Sequence, residues 1–142
     1  MTFFGDDTWT RLFPGKFLRQ DPVTSFFVSD YTEVDHNVTR HLGSEMKRDD
    51  WDVMILHYLG LDHIGHLEGP GSSLVQPKLD QMGDIIKTVW DQLQSKNREG
   101  QPPLMMANAC LYDALCAAPW QNRTRCSWRS RVEGLRLGRV SL

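Results

Sequence analysis

The densest run of residues able to do chemistry is Leu59-Gly60-Leu61-Asp62-His63-Ile64-Gly65-His66. Asp62 and His66 stand four apart, and a carboxylate and an imidazole can share one zinc or manganese ion, each giving a lone pair at about 2.0–2.2 Å. A catalytic zinc takes three protein ligands plus water, so two residues do not close a site. The same spacing suits an aspartate that caps a turn beside a hydrogen-bonded histidine, and spacing alone leaves both readings open. A second constellation is Gly5-Asp6-Asp7-Thr8-Trp9. Asp6 and Asp7 cannot both face one ion from a strand, where neighbouring side chains alternate, but in a turn after Gly5 one of them reaches a site. The run is equally an ordinary turn and helix N-cap. His57, inside an apolar run, is expected to be packed and hydrogen-bonded, while His36 and His41 fall on a helix and need no special role. Ser72-Ser73 lacks the Gly-x-Ser-x-Gly context of a nucleophile elbow, which excludes a serine hydrolase.

These residues need elements to position them. Thr24-Ser25-Phe26-Phe27-Val28 has the β-branched and aromatic density of a short buried strand. From Thr32 the apolar positions Val34, Val38 and Leu42 recur every four residues, with acids at the start and bases at the end, predicting an amphipathic helix closed by Gly43. Trp51 to Leu59 is a near-continuous apolar run, as expected of a central strand in a parallel sheet. Gly60, Gly65, Gly69, Pro70 and Gly71 then predict a loop at the carboxyl end of that strand, where ligands collect in open α/β sheets. Pro77 suits a first helical turn, and Leu79, Met82, Ile86, Val89 and Leu93 form the stripe of a helix running to about Ser95. The order predicts an α/β fold with a mostly parallel sheet.

The 142-residue chain fits one ordinary domain, and its formal net charge of −2 hides an asymmetry. Acidic residues outnumber basic ones up to Ser95, and that part holds all five His and no Cys. Beyond it, bases dominate and all three cysteines, Cys110, Cys116 and Cys126, appear at spacings that match neither a zinc knuckle nor a paired framework. Residues 99–142 read as an irregular, poorly ordered basic tail. With single arginines and no fold motif, that tail is expected to be solvated, and nucleic acid is not among the expected partners. No stretch reaches the roughly 18–20 apolar residues of a bilayer-spanning helix, and Phe3-Phe4 gives way at once to Gly5-Asp6-Asp7, leaving no signal-peptide core. Asn37-Val38-Thr39 and Asn122-Arg123-Thr124 are glycosylation sequons that matter only in a secretory compartment.

Residues 1–98 resemble the catalytic domain of the GPI ethanolamine phosphate transferases, of the alkaline phosphatase superfamily, and among them those that decorate the second mannose of the glycolipid. The resemblance rests on Phe4-Gly5-Asp6-Asp7-Thr8-Trp9, Leu12-Phe13-Pro14, Phe26-Phe27-Val28-Ser29-Asp30-Tyr31, Asp35-His36-Asn37-Val38-Thr39 and His57-Tyr58-Leu59-Gly60-Leu61-Asp62-His63-Ile64-Gly65-His66, in that order. It implies a partial alkaline-phosphatase-like domain over 1–98 and a two-metal centre, usually zinc. It also implies transfer of phosphoethanolamine from phosphatidylethanolamine to a mannose of the GPI-precursor glycolipid, on the luminal side of the endoplasmic reticulum membrane, with an accessory membrane subunit as partner. Carried over by position, Asp62 and His66 match one Asp-x-x-x-His metal pair. Asp6, Asp7, Thr8 and Trp9 are a family hallmark without an assigned ligand role, and Asn37 matches a family glycosylation sequon.

The resemblance also implies what lies beyond the matched region. The family places a membrane anchor, an aspartate ligand and a threonine nucleophile upstream of Gly5-Asp6-Asp7-Thr8-Trp9, and a further strand with an Asp-His metal pair downstream of the helix ending near Ser95. The expectation is therefore a truncated or alternative product that inherits the family assignment but is inert by itself. The competing expectations are a metal-dependent phosphodiesterase of the same superfamily, against which Gly5-Asp6-Asp7-Thr8-Trp9 argues, and a non-catalytic decoy that binds an accessory subunit.

Overall fold

The computed structural model describes residues 1–24, 27, 29–96 and 103–107. Among them the order is β1 (Thr2–Asp6), α1 (Thr8–Leu12), β2 (Arg19–Val23), α2 (Glu33–Glu45), β3 (Met54–Leu56), α3 (Gly60–Glu68) and α4 (Val75–Ser95). The three strands make one parallel sheet in the order β2-β1-β3, so the architecture is α/β as the element order predicts.

The central strand is β1, not the apolar run at 51–59. All five of its residues are buried, and it pairs Phe4 with Asp21 on one side and with Leu56 on the other. Five residues interrupted by a glycine carry too little periodic signal to announce a central strand. The run that does carry it contributes only Met54–Leu56, at an edge of the sheet among the described residues. Gly5 meets a steric demand: its φ is +145°, and a Cβ there would stand 2.6 Å from both the Cβ and the carbonyl oxygen of His57. The His57 N–H donates to Phe4 O at 2.9 Å, which draws the two strands into that contact.

Strand alternation then divides the core. Phe4 faces α2 and packs with Val34 and Val38, joined by half-buried Val23, Leu56, Tyr58 and Leu59. Leu42, Met46 and Val89 form a second cluster that binds the end of α2 to α4, with Trp51, Met54, Ile85, Leu93 and Met105 around it. Full burial of such side chains stabilises by roughly 1.5–3 kcal/mol each. Phe3, fully buried, turns the other way onto Phe17 and Trp9, with ring centroids at 5.2 and 6.2 Å.

Polar links fix the sheet against α2. Arg19 on β2 donates to both carboxylate oxygens of Glu45 at 2.8–3.0 Å and to both of Asp50 at 2.8 Å. Those two carboxylates hold its guanidinium far above the ordinary arginine range. The helix itself starts where Asp30 Oδ1 accepts the N–H groups of Thr32 and Glu33 at 2.9 and 2.8 Å. Gly43 does not close α2: the helix continues through it to Glu45, with Met46 as C-cap.

Of the strand expected over 24–28, Ser25, Phe26 and Val28 lie outside the described residues; Thr24 and Phe27 are described outside any strand, and Phe27, expected buried, is 67 % exposed. The strand described just before it is Arg19–Val23. The helix expected to Ser95 is present, with Pro77 in its first turn. Of the basic tail only residues 103–107 are described, and there Met105 packs against the Leu42, Met46 and Val89 cluster; the cysteines and the sequon at Asn122 lie outside the described residues.

Candidate metal-ligand pair on a capped helix

The glycine-rich stretch after β3 is half helix and half loop: Gly60 and Gly65 lie in α3 (Gly60–Glu68), while Gly69, Pro70 and Gly71 form the expected loop, where Gly69 has φ +79°. Glycine density misleads here because the first glycine is present for space. A Cβ on Gly60 would collide with Tyr31 O and Asp35 Oδ2 and come within 2.8 Å of Lys78 Nζ.

On this helix Asp62 and His66 are one turn apart and share a face. Asp62 Oδ2 and His66 Nε2 stand 3.5 Å from each other, with side chains about one-third and one-half exposed. Two ligands of one ion at about 2.1 Å and a tetrahedral angle are about 3.4 Å apart, so the donor set and its span fit half of a metal site. The same separation makes an ion pair when the imidazole is protonated. Among the described residues no group of three or more His, Cys, Asp or Glu is placed to hold an ion.

Gly5-Asp6-Asp7-Thr8-Trp9 divides between strand and helix. Asp6 ends β1, is 7 % exposed, and its Oδ1 accepts the Thr8 N–H at 3.0 Å. Asp7 is the N-cap of α1 without a capping side-chain bond, and it instead pairs with Arg11 one turn on. Thr8 is exposed at the start of α1, and Trp9 lies edge-on to His57 at 6.0 Å. Asp6 is thus buried at the strand end, while Asp7, past the strand, is partly buried with its side chain 20 % exposed.

His57 departs from expectation. Its Nδ1 is buried without a hydrogen-bond partner among the described residues, whereas a bonded ring was expected. Burial pushes its pKa below the ordinary value of 6.5, against the opposing pull of Asp6, Asp62 and Asp35. His41, read as unremarkable, stacks on Phe4 at 4.3 Å and meets Asp21 Oδ2 at 2.8 Å. His36 is exposed on α2. Asn37, the sequon asparagine, is 6 % exposed, and its Nδ2 donates to Asp21 O at 3.2 Å.

Sequence reasoning missed the residues that hold α3. Leu59, its N-cap, has no capping side chain, and Asp35 on α2 takes that part: Oδ1 accepts the N–H groups of Leu59 and Gly60 at 2.9 and 3.1 Å. Asp35 is 1 % exposed, and its other oxygen receives Lys78 Nζ at 3.0 Å, while the same ammonium donates to Tyr31 O at 2.7 Å. His63 Nδ1 lies 2.7 Å from Asp30 O, and Tyr31 donates its hydroxyl to Glu68 at 3.1 Å. The resemblance motif containing Asp35 was the only signal pointing to it. Its partner Lys78, 43 positions away, gave none.

The chain is similar to curated proteins over part of their length. It is 56 % identical over 106 residues to "GPI ethanolamine phosphate transferase 2, catalytic subunit" of Homo sapiens, covering 75 % of this chain and 11 % of that protein. It is 52 % identical over 96 residues to GPI ethanolamine phosphate transferase 2 of Aspergillus oryzae, covering 68 % of this chain and 11 % of the relative. With that of Eremothecium gossypii the identity is 55 % over 95 residues, 66 % of this chain and 12 % of the relative. No protein-family model matches the chain, and no solved structure matches it.

Proposed function

We propose, from the premise that this chain is homologous to one segment of GPI ethanolamine phosphate transferase 2, that it carries part of a phosphoethanolamine transferase catalytic domain. In this reading the complete domain has an alkaline-phosphatase-like fold. It moves phosphoethanolamine from phosphatidylethanolamine to the second mannose of a GPI-precursor glycolipid at the luminal face of the endoplasmic reticulum membrane, beside an accessory membrane subunit. Among the described residues no helix is long and apolar enough to cross a membrane.

The observation that carries the reading is the Asp62–His66 pair, 3.5 Å apart on α3 just beyond the carboxyl end of β3. That end of a parallel sheet is where α/β folds build their sites. Asp62 and His66 would hold one divalent ion, zinc by its suitability for mixed oxygen and nitrogen ligands, within a two-ion centre. Bound there, the ions would supply Lewis-acid stabilisation of a phosphoryl group. This chain's own residues do the rest: Asp62 brings a carboxylate whose charge offsets the ion's, and Asp6 and Gly5 shape the neighbouring strand end. The isolated chain, holding one pair of a ligand set that acts as a unit, is expected to be without transfer activity.

The test is a chimera in which this chain's residues replace the matching segment of the human relative, assayed with radiolabelled phosphatidylethanolamine as donor. The chimera should transfer label to the glycolipid, Asp62→Asn should lower transfer by at least about 100-fold, and the isolated chain should give none above buffer. An active chimera indifferent to Asp62→Asn contradicts the assignment.

A further inference from the structure

Three helices begin at one buried carboxylate. Asp35 lies in the first turn of α2, Leu59 and Gly60 open α3, and Lys78 lies in the first turn of α4. Asp35 Oδ1 takes the two N–H groups of α3 and Oδ2 takes the ammonium of α4, so every strong interaction of this carboxylate joins one element to another. The pair is as enclosed as any in the described fold, with side chains 0 % and 7 % exposed for Asp35 and Lys78.

We infer that Asp35, held by Lys78, is a positioning residue for the Asp62–His66 pair: it caps α3 from another helix and so sets where the two ligands stand relative to the sheet. The inference rests on the reading of that pair as metal ligands. A helix of nine residues with glycine at its first position is marginal without help, because nucleation is costly and its first N–H groups have no partner within the helix. Leu59 has no side chain able to cap. Asp62 sits in that first turn, so a frayed start moves one ligand while leaving His66, at the far end, in place. Lys78 matters for a different reason. Without it the carboxylate still accepts two N–H bonds but loses the charge that fixes its second oxygen, and Gly60 loses a wall of the pocket that only a glycine fits.

The experiment uses the full 142-residue chain, zinc itself as probe, and amide exchange followed by NMR. Asp35→Ala alone strands a buried ammonium, so the informative variant is Asp35→Ala with Lys78→Met, which removes the cap without leaving an unpaired charge inside. Zinc affinity should fall at least tenfold in the double variant. Exchange at Leu59, Gly60 and the α3 amides should rise at least tenfold while α4 amides keep their protection. Lys78→Arg made alone, which keeps a cation beside Asp35, should keep affinity within about threefold of the parent. A double variant that binds zinc like the parent, with α3 exchange unchanged, overturns the inference. Asp62→Asn separates the two claims: zinc binding indifferent to it removes the metal reading, and the α3 exchange result then decides by itself whether Asp35 positions the helix.

Discussion

At the scale of single residues, the fold decides roles that residue type leaves open. Asp6 and Asp7 are chemically alike, yet one is buried at a strand end and the other pairs with Arg11 at the surface. His57 shows the same dependence on place. Its ring is desolvated, so the folded chain binds its proton less readily than the unfolded chain does. By linkage, stability rises with pH wherever the unfolded state holds more protons. The expected outcome is a loss of stability as pH falls below about 6.5, continuing to the lowered folded pKa, in spite of the pull of Asp6, Asp62 and Asp35. Asp21, lowered by its bond from Arg40, adds a further loss as pH falls below its ordinary 3.8. Urea titrations from pH 7 to 5 should show this slope in the parent and a flatter one in His57→Gln. Equal slopes would show that His57 is not the group responsible.

At the scale of elements, what was legible was whatever carried its own period. The stripe of α4 and the four-residue spacing of α2 appear as helices because each buries one face, Val34, Val38 and Leu42 on α2 and Val89 on α4. The failures share a physical cause. Strand β1 is recognisable only by the neighbours that enclose it, the apolar run at 51–59 mixes three strand residues with segments packing on α2 and α4, and α3 is concealed by a glycine that tertiary crowding requires. Gly43 is the converse case, a glycine inside α2 with open space where a Cβ would go. Gly43→Ala is therefore expected to stabilise the chain by about 1 kcal/mol, since alanine costs less backbone entropy in a helix. Chemical denaturation measures it, and a destabilised variant would mean that α2 does not persist through residue 43.

For the whole molecule, Asp62 and His66 were legible in the sequence as a pair, but not the means by which they are held. Four residues of spacing place the two side chains on one helix face, and the structure adds that the helix stands at the carboxyl end of a parallel sheet, tied there through Asp35, His63 and Tyr31. These ties join residues 24 to 37 positions apart, a separation that local pattern does not report. The chain spans 11–12 % of the length of the relatives named above, and the proposed chemistry rests in it on the Asp62–His66 pair. Equilibrium dialysis against zinc, with bound metal counted by atomic absorption, tests that claim most directly. The account predicts zinc bound by the parent chain and lost, by at least tenfold in affinity, in both Asp62→Asn and His66→Ala; equal binding by parent and variants would contradict it.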